Sequence, residues 1–351
     1  MKKLPTAEQI VQDAIQNESL LSVERKMRAL RSANDSLKAT VAAQHQTIDV
    51  LEKTLDLQAA MKLAESPGKW QERKRKAKGK ATVELLWSDW HVDELITPET
   101  TSGLNEWNTK IADQSIKALV DNSLNLIETE SKLVKLPDLV LWLGGDFISG
   151  PIHEELEITN TMEPDEAIVW LKPRLEASIQ RLLDCGKFER ALVVCSWGNH
   201  ARWTKKIQYK REWKVSREYW MYVELAQRFA KNERVKFHVS QSYESTVDVE
   251  GERVTYEHGH RHKFNGGVGG ALVPVNRNIG RRNSDRNTRS DRQRMGHFHV
   301  AGTLGSVVMN ASMIGYSEYG TGRFAYQRPS QTMCVLDERH GQTLVREVFC
   351  R

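Results

Sequence analysis

Five short segments of this chain carry residues suited to holding metal ions: Asp89-Trp90-His91, Gly145-Asp146, Gly198-Asn199-His200, His258-Gly259-His260 and Gly296-His297-Phe298-His299. Aspartate, asparagine and histidine supply the oxygen and nitrogen ligands that divalent transition metals take. Each segment stands at or just after a run that reads as a buried strand. Gathered at strand ends, they can build one site for two metal ions, a geometry suited to attack on a phosphate ester. Any one of these motifs alone is a weak signal, because a lone histidine is more often packed or solvated than a ligand. Their order and shared β context carry the reading.

The elements that must position them follow from hydrophobic patterning. Residues 82–88, 138–144 and 190–196 read as apolar strands ending at the first three motifs. Residues 108–130, 163–184 and 216–231 have helical periodicity. Shorter β segments are expected at 235–240, 245–249, 253–258, 303–310, 331–337 and 343–349. Alternating β and α followed by mostly β predicts stacked sheets flanked by helices, with the ligands on loops beyond strand carboxyl ends. Residues 265–294 interrupt the pattern: a glycine-rich stretch is followed by 276–294, with seven arginines and almost no apolar residue. That composition predicts no core strand there.

The whole chain has 351 residues, 39% hydrophobic and 28% charged, with a net charge of +5 and a mean hydropathy of −0.56. A substantial core is expected, and no run approaches the roughly 20 apolar residues of a membrane span. The N-terminal residues lack the apolar stretch of a secretory signal. Cys185, Cys195, Cys334 and Cys350 lack metal-site spacing and read as reduced thiols of a cytoplasmic protein.

From Leu20 a heptad runs through Val23, Met27, Leu30, Asn34, Leu37, Val41, Gln44, Ile48, Leu51 and Leu55 without a slip, Gly or Pro. This seam predicts a coiled coil making a homo-oligomer through residues 20–58, and Asn34 at an a position favours a dimer. A helix packed on its own catalytic domain is the alternative. The expected organisation is a helical oligomerisation segment (1–65), a basic linker (66–81) and a catalytic domain (82–351). The run 69–80 holds seven Lys or Arg in twelve residues, which suits either a solvated linker or contact with nucleic-acid phosphates.

The set SDWH, GGD, GNH, HGH and GHFH resembles the calcineurin-like metallophosphoesterase superfamily over residues 82–312. GGDFISGPIHEE, GNHARWTKK and the glycines after HGH look like phosphoesterases of tailed bacteriophages, which are similar to DNA-repair exonucleases. The resemblance implies a four-layer α/β/β/α sandwich with two metal ions, most often manganese, with iron, zinc or magnesium as alternatives. It places Asp89, His91 and His299 on the first metal, Asn199, His258 and His297 on the second, and Asp146 between them. His200 would face substrate as proton donor or transition-state stabiliser. Arg202 can add a phosphate contact, or form only a surface salt bridge. Many members carry a further acidic residue soon after the second motif's aspartate; here Phe147-Ile148-Ser149-Gly150 follows, then His153, Glu154 and Glu155. His258 and His260 compete for the fourth-motif position, and His258 is preferred because it ends the strand. His262 reads as a surface or supporting residue.

Such a resemblance fixes reaction type, not substrate. The arginine-rich segment, the basic linker and the interleaved aromatics and cations from Trp203 to Lys214 point to nucleic acid. The expected function is a DNA phosphodiesterase, exo- or endonucleolytic, with an ATPase as a conceivable partner. A phosphomonoesterase and a non-catalytic DNA-binding accessory protein are the alternatives.

Overall fold

The computed structural model describes residues 6–63, 79–262, 270–285, 289–318 and 326–351. Most of the basic run 69–80, and the glycine-rich stretch 265–269, lie outside the described residues. The chain divides into two units, Met1–Lys74 and Arg75–Arg351.

In the first unit the described residues form one helix, α1 (Ala7–Leu63), of 57 residues. At about 1.5 Å per residue it is roughly 85 Å long. It begins earlier than the heptad suggested, because the Thr6 N–H donates to the Gln9 side chain at 3.2 Å, half of a capping box. The seam residues Leu20, Met27, Leu30, Leu37, Val41, Ile48, Leu51 and Leu55 are all exposed.

The second unit contains two sheets. The first runs β1 (Lys80–Trp87), β2 (Lys135–Leu143), β3 (Arg190–Cys195) and β4 (Val235–Val239) in parallel. Antiparallel β10 (Ser330–Asp337) and β11 (Gly341–Phe349) extend it beyond β1. The second sheet has the order β5-β6-β7-β9-β8, from β5 (Ser245–Val249), β6 (Glu252–Tyr256), β7 (Arg292–Met295), β8 (Gly302–Leu304) and β9 (Val307–Met309).

Side-chain alternation explains the layering. One face of the first sheet (Val83, Leu85, Leu141, Val193, Met333) packs against α2 (Thr109–Ser131), α4 (Pro164–Leu183) and α5 (Arg217–Arg228), through Ile116, Leu175, Leu225 and their neighbours. The other face (Leu86, Val140, Trp142, Val194, Cys334) meets Val249, Val254, Tyr256 and Val308 of the second sheet. Helix α6 (Leu272–Asp285) covers the far side of that sheet through Val275 and Ile279 on Met295, Val307 and Met309. This is an α/β/β/α sandwich. Buried on both faces, β1 to β3 read as continuous apolar runs, as parallel strands do.

Two expectations need correction, and one element was not expected. Residues 276–294 do supply a core strand, β7, after the helix α6. Their arginines are neutralised by distant acids: Arg294 bonds Glu84 at 2.6 Å with both fully buried, Arg292 bonds Glu252 at 2.7 Å, and Arg282 bonds Glu257 at 2.7 Å. Each of these three cations is thereby compensated, which composition alone does not reveal. The segment 303–310 is a hairpin of β8 and β9 turning at Gly305-Ser306, not one strand. A short helix, α3 (Glu154–Thr159), follows the second motif and had no signal strong enough to read.

Candidate metal centre

All five motifs converge beyond the carboxyl ends of β1, β2, β3, β6 and β7. Their side chains form three overlapping clusters of close-set ligand atoms: Asp89 with His91 and His299; His91 with Asp146 and His200; Asp146 with His258 and His297. Asp146 and His91 each belong to two clusters, so the clusters merge into one centre with Asp146 at its middle.

The backbone is bent to achieve this. Asp89, His91, Asp146, His297 and His299 all have φ between 47° and 70°. This left-handed region costs a non-glycine residue roughly 1–2 kcal/mol, and such strain persists where surrounding structure enforces it. Two glycines allow the loops to close. A Cβ on Gly198 would lie 2.0 Å from Asp146 Oδ1, and one on Gly296 would lie 2.2 Å from Asp89 Oδ2.

Hydrogen bonds fix how the ligands face. His258 donates Nδ1–H to the Gly144 carbonyl at 2.7 Å, which leaves its Nε2 lone pair toward the centre. Ser149 Oγ donates to Glu94 at 2.8 Å and accepts His91 Nδ1–H at 2.9 Å. The Nε2 atoms of His91 and His299 then face each other at 3.2 Å. The Asp89 carboxylate accepts the His297 main-chain N–H at 3.0 Å. His200 donates Nδ1–H to the Ser149 carbonyl at 2.8 Å, so its Nε2 is the uncommitted nitrogen.

A divalent metal fits this donor set. Among the described residues, three buried atoms of the expected ligands lack an aligned hydrogen-bond partner: Asp146 Oδ2, Asn199 Oδ1 and His258 Nε2. The Asp146 and His258 atoms approach to 2.8 Å, an ion-pair distance without hydrogen-bond alignment. Buried polar atoms are seldom left so, and a carboxylate, an amide oxygen and imidazoles are transition-metal donors. Burial, then neighbouring imidazoles, push the His91 and His297 pKa values well down, which keeps them neutral as ligands must be. Burial also lowers His258, but Asp146 beside it outweighs this and lifts it to about 10, so a proton and a cation compete for that pair.

The remaining sequence candidates go elsewhere. The Arg202 guanidinium, expected as a phosphate contact or a surface salt bridge, is buried and donates instead to the main-chain carbonyls of Asn199, Thr204 (2.8 Å) and Lys205 (2.9 Å). It shapes the Asn199 loop. His260 turns away from the ligand clusters to Glu212 at 2.8 Å, and His262 to Glu257 at 3.0 Å. His153, Glu154 and Glu155 are exposed and join none of the clusters, although the His153 ring lies 6.1 Å from that of His200.

Several supporting residues escaped the sequence. Glu218 accepts Phe147 N–H at 2.7 Å and Gly198 N–H at 2.8 Å, tying the Asp146 loop to the Asn199 loop. Burial raises its carboxyl to about 8. Asp93 accepts Ser149 N–H at 2.6 Å, and Gln331 accepts Ser88 N–H at 2.8 Å. None lies in a motif; an isolated acid inside an amphipathic helix, such as Glu218, gives no local signal.

No protein-family model matches this chain, and no curated protein matches it. Among solved structures it is similar to wild-type Vps29 complexed with zinc from Entamoeba histolytica: 12% identity, TM-score 0.30, covering 77% of this chain and 99% of that one. It is also similar to a conserved uncharacterised protein, described as a predicted phosphoesterase, from Streptococcus pneumoniae TIGR4: 11% identity, TM-score 0.28, covering 76% and 97%. At these identities and scores neither likeness bears on what the chain does.

Proposed function

We propose that this chain is a dinuclear-metal phosphoesterase that hydrolyses phosphodiester bonds in nucleic acid, with manganese as the working metal. The observation that carries this is the merging of three clusters of close-set ligand atoms through His91 and Asp146, with Asn199 Oδ1 buried beside them and without a hydrogen-bond partner among the described residues. Asp89, His91 and His299 would hold one ion, Asn199, His258 and His297 the other, and Asp146 both. Two such ions supply Lewis acidity and a water activated at neutral pH.

The chain's own residues do the rest. The main-chain N–H of His200 holds Asp146 Oδ1 at 2.8 Å, leaving Oδ2 for the centre. His200, with Nδ1–H committed to Ser149, would act on a phosphoryl or leaving oxygen through Nε2. Only its imidazolium form can stabilise developing charge or donate a proton there. Burial lowers its pKa, so the substrate's negative charge must favour that form. Arg202 and Glu218 hold the loop that carries Asn199 and His200.

Nucleic acid as substrate draws support from exposed aromatics near the third motif: Trp203 and Trp220 are 51% and 44% exposed, and Arg217 lies 5.1 Å over the Trp203 ring. Such aromatic surfaces stack bases, while Arg217 is itself paired with Asp165 at 2.6 Å. The narrower likeness to phage phosphoesterases belongs to this reading and rests on the motif residues alone. Helix α1, with its exposed seam, would serve as the dimerisation segment.

The test is manganese-dependent cleavage of end-labelled single- and double-stranded DNA by wild type, Asp146→Asn and His200→Ala. Cleavage lost in both variants supports the reading. No cleavage by folded, metal-loaded wild type, with p-nitrophenyl phosphate turned over instead, replaces it with a monoesterase.

A further inference from the structure

A cleft of about 270 Å³ opens between the loop that carries Asn199 and the loop that carries His258. Trp197, two residues before Asn199, forms one wall, and Arg261, three residues after His258, forms another. Tyr209, Arg211 and Tyr243 complete the part that matters here.

The cleft is fixed to the metal centre through short contacts. Tyr243 Oη accepts the Gly259 N–H at 3.0 Å and the Arg261 N–H at 3.2 Å, so it grips the main chain of the fourth motif. Glu212 accepts from Arg261 at 2.8 Å and pairs with His260 at 2.8 Å. The His260 ring in turn lies 5.5 Å from that of His258 and 6.3 Å from that of His297. One residue layer thus separates the cleft from the expected second-metal ligands.

Its chemistry is specific. The Arg261 guanidinium lies 4.1 Å over the Tyr243 ring and 5.4 Å from the Tyr209 ring. Tyr209 is 69% exposed, an aromatic surface with an open face. Arg211 is exposed and is held at a φ of 56°, and the Glu212 carboxylate beside it pairs instead with Arg261. An open aromatic face, a flat guanidinium and an exposed cation match a planar heterocycle attached to a phosphate.

We propose that this cleft is a nucleoside subsite: it takes the base and sugar on one side of the scissile phosphate, with the base stacked on Tyr209. This rests on the phosphodiesterase reading of the adjoining centre and deepens it, since it assigns the non-reacting part of the substrate.

The experiment uses the full-length, manganese-loaded protein and two diesters with the same leaving group, methyl p-nitrophenyl phosphate and thymidine 5′-p-nitrophenyl phosphate. Wild type should favour the thymidine ester by roughly tenfold in kcat/KM, the scale of one base stacked on one aromatic ring. Tyr209→Ala should abolish that preference while the methyl ester is turned over as before, and Tyr209→Phe should retain it. Equal rates on the two esters in wild type, or equal losses on both in Tyr209→Ala, overturn the subsite. If neither ester is cleaved, the phosphodiesterase reading fails, and the subsite is judged by calorimetric binding of thymidine 5′-monophosphate to the metal-free protein. Binding weakened by Tyr209→Ala keeps it; no binding overturns it.

Discussion

Asp146 Oδ1 accepts the main-chain N–H of His200 at 2.8 Å, so the expected bridging ligand and the expected proton donor are held by one hydrogen bond. Gly198 makes that approach possible, since any Cβ there would overlap the same oxygen at 2.0 Å.

The roles of the two residues are separable. His200→Ala should lower kcat by roughly 10²–10⁴-fold, the range for loss of a proton-transfer group, with two metals still bound. Asp146→Asn should lose both activity and metal. Metal content by mass spectrometry, measured beside kcat, distinguishes them; a His200→Ala protein without metal would refute the assignment.

Gly198→Ala forces Asp146 from its place. Metal affinity should fall by at least the roughly 10–100-fold expected when the support of a ligand is lost. Calorimetric manganese titration reads this directly. Gly186→Ala is the control, because a Cβ at Gly186 meets nothing within 4 Å, although its φ of 71° brings modest strain.

Glu218→Gln replaces one of the two carboxyl oxygens that accept Phe147 N–H and Gly198 N–H with an amide NH2, which cannot accept. A glutamine oxygen can accept one of these bonds, so the two loops should loosen without unfolding. The expected result is a manganese Kd raised roughly tenfold or more with a near-native melting temperature. An unchanged Kd would show that the tether is not needed.

Stability should depend on Glu257 at low pH. Burial pushes its carboxyl up, but His262 and Arg282 outweigh this and hold it at about 2, against 4.5 when unfolded. A depressed acid contributes fully above pH 4.5, and that contribution is lost as pH falls toward 2. The loss amounts to about 3 kcal/mol. Glu94 and Glu218, raised by burial to about 7 and about 8, act in the opposite sense at higher pH. The informative quantity is therefore the difference between wild type and Glu257→Gln in urea unfolding from pH 5 to pH 3. The variant should be less stable at pH 5, and the gap should narrow by pH 3.

Helix α1 exposes Leu30 and Leu37 at 66% and 65%. Leu30→Lys with Leu37→Lys places two cations in the seam, and sedimentation of the full-length protein should shift from dimer to monomer. Identical sedimentation of variant and wild type would remove the coiled-coil assignment.

The convergence of the five motifs was legible in the sequence because each is local: a strand, a sharp turn and two or three residues able to act as metal donors. The parallel strands were equally plain, since burial on both faces leaves an unbroken apolar run such as Asp138 to Gly144. Strand β7 was misread for the opposite reason. Arg294 looks incompatible with a core until Glu84, 210 residues earlier, is placed beside it. Arg202 was misjudged because three main-chain carbonyls that only the folded loop brings together occupy its guanidinium.

The pairing of Arg282, Arg292 and Arg294 with carboxylates has a consequence for ionic strength. Of the seven arginines in 276–294, these three are already neutralised, which leaves at most four to displace counterions from a polyanion. A duplex lying across this segment would gain from it a logarithmic salt slope of at most about −3.6, at about −0.9 per phosphate neutralised. The segment's cationic appearance therefore overstates its grip: nearly half of its positive charge is held by carboxylates of the two sheets and the loop after β6, and what remains would release a nucleic acid readily as salt rises.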